Sequence, residues 1–407
     1  MHRGLRSAVP VAGLVACLAC GSAPQREPTL ASPGPQSAAN APTEEAGEPY
    51  PWQAFTRSPQ KSDTAPGDLE RACPERDAAL ERAAAFAARR ELDGKPPLDA
   101  EDVTLVLRAE GAPYVWPRIW TLSGQSAGAR ASERFTAWLA ELEDGGTQRC
   151  GIARAEGPSG REVVVGIALG VLAELDPLPT QVSIGAWVDV QARLLAPSTS
   201  VDVLVLGPRG QAHRVPSSLQ GGRVRARFHA DREGSFLVQV LASVDGGPRP
   251  VAEALVLAGD APRALFTASP APGEEAPSDG PKDAALFRML NGARQSEGVG
   301  LLVRDARLDR VARAHAEAMR AAGRLAHDVG DGAPGDRVAA AGVTVRAVGE
   351  NVAHAADARH AHRTLWRSPS HRSNQLDSRY DAAGIGLAAD QDGTLWVCEL
   401  FATLAAQ

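Results

Sequence analysis

Six of the nine histidines fall between His315 and His371, in the last third of a 407-residue chain. Three residues there, singled out by the motif resemblance given in the next paragraph, have types that could work together: His327 in Arg324-Leu325-Ala326-His327, Glu350 in Gly349-Glu350-Asn351, and His371 in Ser368-Pro369-Ser370-His371-Arg372. Two imidazoles and a carboxylate can do three things. They can hold a divalent metal such as zinc, with His327, His371 and Glu350 as ligands and Ser368 or water in open positions. They can run acid–base chemistry, because imidazole titrates near neutral pH and Glu350 can fix its tautomer. Or they can bond one another and brace the loops around them. Bracing is the favoured reading, because Glu350 and Asn351 are expected at a turn, where side chains commonly satisfy loose backbone groups. Ser368 and Ser370 do not lie in a Gly-x-Ser-x-Gly elbow, so neither is assigned as a nucleophile, and no catalytic residue is assigned. His360 and His362, on a short polar helix, are expected in solvent, and His315 is expected to be a partly buried structural histidine. Cys398, inside an apolar strand, reads as a small hydrophobe.

Several elements must position these residues. Apolar spacing predicts one helix over 284–295 and a second over 309–322, the latter stopped by Gly323 as C-cap. A short helix should end near Trp366. Strands are expected at Ala383-Gly384-Ile385-Gly386-Leu387 and over 395–402. The order of these pieces resembles the CAP superfamily of cysteine-rich secretory proteins, antigen 5 and pathogenesis-related 1 proteins, in its bacterial, SCP-like form. The motifs carrying it are Met289-Leu290-Asn291-Gly292-Ala293-Arg294, Ala314-His315-Ala316, the His327 turn, Gly349-Glu350-Asn351-Val352-Ala353 and Trp366-x-Ser368-Pro369-x-His371-Arg372-x-Asn374. Gly384-Ile385-Gly386 and Leu395-Trp396-Val397 follow in order. The resemblance covers about 120 residues and implies an α–β–α sandwich, often exported, in which two His and two Glu can converge in a cleft. His327, Glu350 and His371 match three of those positions; Ser368 stands at the fourth, which removes one carboxylate from any metal site.

At this length the chain should hold two or three domains. The expected fold class is multidomain α+β. Residues 67–172 read as an α+β unit, with helices near 68–91, after Asp99 and from Ser132, followed by strands at Cys150-Gly151-Ile152-Ala153 and over 162–169. Residues 177–260 show short β-spaced runs broken by Gly/Pro turns, the pattern of an immunoglobulin-like sandwich. His213 and His229 read there as surface residues. A linker, 261–281, leads to the C-terminal domain, 282–405.

The N-terminus carries two arginines and then an apolar run to Cys20, too short to span a membrane, which needs roughly 20 apolar residues. Leu14-Val15-Ala16-Cys17 resembles the lipobox of bacterial lipoproteins, with Cys20 the alternative lipid acceptor. Residues 1–20 therefore read as a lipoprotein signal peptide, and the Pro/Ala/Ser-rich stretch 21–66 as a disordered tether. Of the remaining cysteines, Cys73 and Cys150 lie in one unit and are expected to pair in an oxidising compartment; three free thiols is the alternative. A net charge of −6 argues against a dedicated nucleic-acid binder.

The expectation is an exported, lipid-anchored protein of the cell envelope, periplasmic or surface-exposed. It would bind a lipid, glycan or protein ligand through the cleft, with no cofactor required. The alternative is a metal-assisted hydrolase of envelope or extracellular polymers, working through a metal-bound water.

Overall fold

The computed structural model describes residues 48–62, 65–142, 146–259, 264–265, 270–276 and 280–405. Cys17, Cys20 and most of the expected tether lie outside the described residues. The tether was expected to reach 66, but residues 50–62 pack on the folded body. Phe55–Thr56 pairs with Leu178–Pro179, and the Gln60 amide donates to Asp77 at 2.9 Å.

Asp77 also starts helix α1 (Ala78–Leu92), where its side chain accepts from the Ala79 and Leu80 amides. The helix was expected from Asp68; Pro74 interrupts that pattern, and a one-turn 3₁₀ segment, Glu70–Ala72, stands instead. Helix α2 (Ala100–Ala109) is capped by Asp99. Strand β1 (Arg118–Gln125), not anticipated from sequence, precedes α3 (Gly128–Ala140), β2 (Thr147–Glu156) and β3 (Arg161–Val171). The sheet runs β1-β3-β2, all antiparallel. Leu80, Val106 and Leu107 pack on one face with Val163, Val165 and Ile167. Phe135 and Leu139 of α3 pack on the other, beside a Cys73–Cys150 disulfide with Cα atoms 5.7 Å apart.

Besides the two-residue strands Leu178–Pro179 and Gln181–Val182, there follow β4 (Ala173–Leu175), β5 (Ala186–Leu194), β6 (Val201–Leu206), β7 (His213–Val215), β8 (Ser217–Gln220), β9 (Arg223–Ala230), β10 (Gly234–Val244) and β11 (Gly247–Ala258). They form two sheets, β8-β9-β5-β4 and β7-β6-β10-β11, the second extended by Gln181–Val182 in parallel to β11. Period-two alternation fixes their faces: in β9, Val224, Phe228 and Ala230 are buried while Arg223, Arg225, Arg227 and His229 are exposed. Val190, Val205, Phe228, Val238 and Val256 belong to one core shared by both sheets.

The last part comprises α4 (Lys282–Ser296), β12 (Val303–Arg304), α5 (Ala306–Ala322), α6 (Pro334–Ala340), β13 (Val345–Ala355), α7 (Ala358–Arg367), α8 (Pro369–Gln375), β14 (Ala382–Ala389) and β15 (Leu395–Leu404). Strand order is β12-β14-β15-β13, antiparallel except for the short edge strand β12, which is parallel to β14. Leu286, Leu290, Ala361 and Leu365 of α4 and α7 cover one face, against Ile385, Val397 and Phe401. Leu308, Ala312, Met319 and Val338 of α5 and α6 cover the other, against Val352, Cys398 and Leu400. Helices on both faces of one sheet make this an α–β–α layer. The described residues mix helices with several sheets, the coarse class that was expected.

Candidate functional site

Glu350 and Asn351 were expected at a turn. They lie instead inside β13, where the register pairs Glu350 with Leu400 and Asn351 with Glu399 of β15. Neighbouring Val345, Val348 and Val352 favour the extended backbone. β13 is an edge strand paired along its length with β15, and Glu350 points to the α5–α6 side.

Its carboxylate is almost fully enclosed, with 1% side-chain exposure, against 20% for His327. Oε1 accepts from His327 Nδ1 at 2.9 Å, and His315 Nε2 lies 3.7 Å from it. Oε2 accepts from the Arg337 guanidinium and from the Cys398 thiol, the latter at 3.4 Å. Burial alone would raise the Glu350 pKa. The His327 hydrogen bond and the charges of His327, His315 and Arg337 outweigh it and hold the carboxyl below its ordinary range. Arg337 also donates to the carbonyls of His327 and Gly332, tying α6 to the His327 turn. His315 is fully buried, with Nδ1 2.7 Å from Asp331 and Nε2 3.0 Å from the Ala326 carbonyl.

His371 is enclosed on α8, and its Nδ1 has no hydrogen-bond partner among the described residues. Burial, with a smaller push from the charge on His327, drives its pKa down to about 3. It is thus neutral at every physiological pH. Its carbonyl accepts from Asn351, which also donates to Glu399 at 3.0 Å. Glu399 is fully buried; desolvation lifts it to about 7 even though Asn351 and Gln375 donate to it. Ser368 does not join the trio. Its hydroxyl faces Gln239 of β10 at 3.3 Å.

That contact is part of a cover over the site. Gln239 bridges Glu253 of β11 (2.6 Å) and the Ser370 amide (3.0 Å), and Gln211 donates to the Leu376 carbonyl at 2.8 Å. The turn between β10 and β11 sits on the His327 loop, its Gly246 carbonyl accepting from the His327 and Asp328 amides at 3.1 and 3.2 Å. Gly247 has φ +110°, and a Cβ there would lie 3.1 Å from His327 Cβ, so only glycine allows this approach. The β10–β11 hairpin thus rests on the His327 loop and on the start of α8.

Residues 287–400 match the model of the cysteine-rich secretory protein family, CAP. The C-terminal domain is of CAP type. No curated protein matches the chain. Among solved structures, an outer surface protein of Borrelia burgdorferi is similar at 18% identity over 30% of this chain and 92% of that one, TM-score 0.29. An extracellular protein containing a SCP domain from Bacillus anthracis aligns at 15% identity over 69% of this chain and 93% of its own, TM-score 0.28. A cysteine-rich secretory protein from Staphylococcus aureus aligns at 14% identity over 57% and 83%, TM-score 0.26. At these scores no function is carried from them.

Both carboxylate oxygens of Glu350 are taken by internal donors. His327 Nδ1 is committed to Glu350, and the position a cation would take beside Glu350 Oε2 is held by Arg337. Among the described residues no group of three or more His, Cys, Asp and Glu is placed to hold a metal. Sequence reasoning missed Arg337, Asp331 and Glu399. A lone carboxylate in the apolar run Trp396-Val397-Cys398-Glu399-Leu400 was the available signal for the last. His362, expected in solvent, is fully buried, and its Nε2 lies 2.8 Å from the Pro272 carbonyl. The helix is amphipathic, and His362 falls on its inner face with Ala358, Ala361 and Leu365.

His371 gives a pH prediction. The unfolded chain takes up a proton on this imidazole below pH 6.5, while the folded one resists until about pH 3. Its stabilisation is therefore full above pH 6.5 and is lost on acidification, at no more than about 1.4 kcal/mol per pH unit. Glu399 acts in the opposite sense. Its contribution is full below pH 4.5 and is lost as pH rises toward about 7. Comparing the parent with His371→Asn isolates the first effect. The stability gap between them should fall by about 2 kcal/mol between about pH 6.5 and about pH 5 in urea unfolding. A gap that does not move with pH refutes the assignment.

Proposed function

We propose that this chain is an exported CAP-type interaction protein, anchored by a lipid on Cys17, with Cys20 the alternative acceptor. Its CAP polar cluster acts as a brace and a docking face for the β-sandwich rather than as a hydrolytic centre. The observation that carries this reading is Glu350: both oxygens accept from internal donors, one of them the buried cation Arg337. A general base must have a free acceptor within reach of substrate, and this carboxylate is 1% exposed with three internal donors already on it. His371, neutral and walled in by α8 and the hairpin, is equally withdrawn. The immunoglobulin-like part then presents surface to a partner while also covering the CAP site. No helix among the described residues is long and apolar enough to cross a membrane.

The purified full chain, with and without added zinc, is expected to show no turnover of peptidoglycan, polysaccharide or acyl-ester substrates. Turnover that disappears in His371→Asn would overturn the reading. In cells, labelled palmitate should enter the protein and be lost when both Cys17 and Cys20 are changed to serine. Label that survives the double change rules out the anchor.

A further inference from the structure

The face of the β8-β9-β5-β4 sheet that points away from the shared core carries an unusual set of side chains. Along β9, Arg223, Arg225, Arg227 and His229 all point outward. Successive members of this row are about 6.8 Å apart, so it spans about 20 Å. Opposite them on β5, in register, stand Arg193, Gln191, Asp189 and Trp187. Trp187 is 58% exposed, with the His229 ring stacked 4.9 Å from it and the Arg227 guanidinium 5.0 Å from its centroid. Those two neighbours hold the indole upright without burying it. Beside Trp187 opens a groove of about 390 Å³, reached also by Arg209, His213 and Arg232.

Charge on this face is only partly neutralised. Arg227 lies 3.3 Å from Asp189, Arg223 lies 3.7 Å from Asp176, and Arg193 and Arg232 pair with Glu174 and Asp231. Arg225 and Arg209 have no ion-pair partner among the described residues. A row of guanidinium groups with spare donors, in a protein of net charge −6, selects carboxylate or sulfate groups, which such groups clasp through two parallel hydrogen bonds. An exposed indole selects a flat apolar partner. The C–H face of a pyranose ring is one, and a row this long suits a chain of them.

We infer that this face binds an acidic polysaccharide, with one sugar stacked on Trp187 and its acidic groups held by Arg225, Arg227 and Arg209. The inference deepens the interaction-protein reading by naming a class of partner; it does not depend on the CAP site. Its failure would leave the hydrolysis and lipid-labelling tests untouched, so the two can be told apart.

Affinity electrophoresis of the full chain through gels holding polygalacturonate, dextran sulfate or plain dextran tests it. Retardation by at least one acidic polymer, and not by dextran, is expected. Trp187→Ala should weaken it about tenfold, and Arg225→Glu combined with Arg209→Glu by at least as much. All these positions are exposed, so unchanged melting temperatures certify the fold. The inference is overturned if neither acidic polymer is bound or if dextran is bound equally. It is also overturned if Trp187→Ala leaves retardation intact, which would mark a generic polyanion effect.

Discussion

Glu350→Ala is expected to destabilise the CAP domain by about 3–5 kcal/mol, the cost of leaving a buried charge without its partner. Arg337 has 8% side-chain exposure, so its guanidinium cannot turn to water when the carboxylate goes. It keeps the His327 and Gly332 carbonyls and, at 3.6 Å, Asp331. His327 Nδ1 and the Cys398 thiol lose their acceptor altogether. The effect is far larger than the 0–1 kcal/mol of an exposed pair such as Arg71–Asp68, because no solvent screens it. Cys398 is buried in the same domain and reports its opening. The urea midpoint for modification of the Cys398-containing peptide by a thiol reagent, followed by mass, measures the loss. Glu350→Leu with Arg337→Met removes both charges at similar volume and should recover most of it. A single variant costing under about 1 kcal/mol, or a double variant as unstable as the single, would sink the brace.

How far the sequence foretold this can be judged at particular residues. Gly323 caps α5 as expected, and α2 begins after Asp99 as expected, with Asp99 as its cap. Cap chemistry is local, so sequence carries it. The same logic failed at Asp68, where an equally good residue is followed by Pro74 and the capping role passes to Asp77. The three residues His327, Glu350 and His371 were legible as a group through their motifs. Their geometry was not, because the partners that decide it are remote in sequence. Arg337 reaches Glu350 across 13 residues on a separate helix, and Gln239 reaches Ser370 across 131. Nothing in the spacing of Ser368-Pro369-Ser370-His371 signals a sandwich strand beside it. A cleft inferred from one domain's motifs is blind to a cover supplied by another.

The second large effect is expected at Gly386, and there sequence and structure meet. On the α5 side of β14, the residues in turn are Ala382, Gly384, Gly386 and Ala388. A Cβ added at Gly386 would lie 2.0 Å from the Ala312 carbonyl carbon and 2.2 Å from the Arg313 amide nitrogen. One added at Gly384 would lie 2.2 Å from the Leu308 carbonyl carbon. These are backbone atoms of α5, so no side chain can swing aside. The helix itself must lift toward the 3.4 Å of an ordinary contact and part from Cys398 and Leu400 as it does. Gly386→Ala should therefore cost at least about 3 kcal/mol, above the usual range for one added carbon. Gly300→Ala, where nothing lies within 4 Å, should be neutral or stabilise by about 0.4–1 kcal/mol through the unfolded chain. Urea unfolding of the two variants separates steric from conformational effects, and similar midpoints would overturn the account. Gly151 repeats the device in the first unit, a Cβ there meeting the Leu80 carbonyl carbon at 2.3 Å and the Glu81 amide nitrogen at 2.2 Å. Close seating of a helix on a glycine is thus how both α-on-β units are held, and Gly151→Ala should fail in the same way as Gly386→Ala.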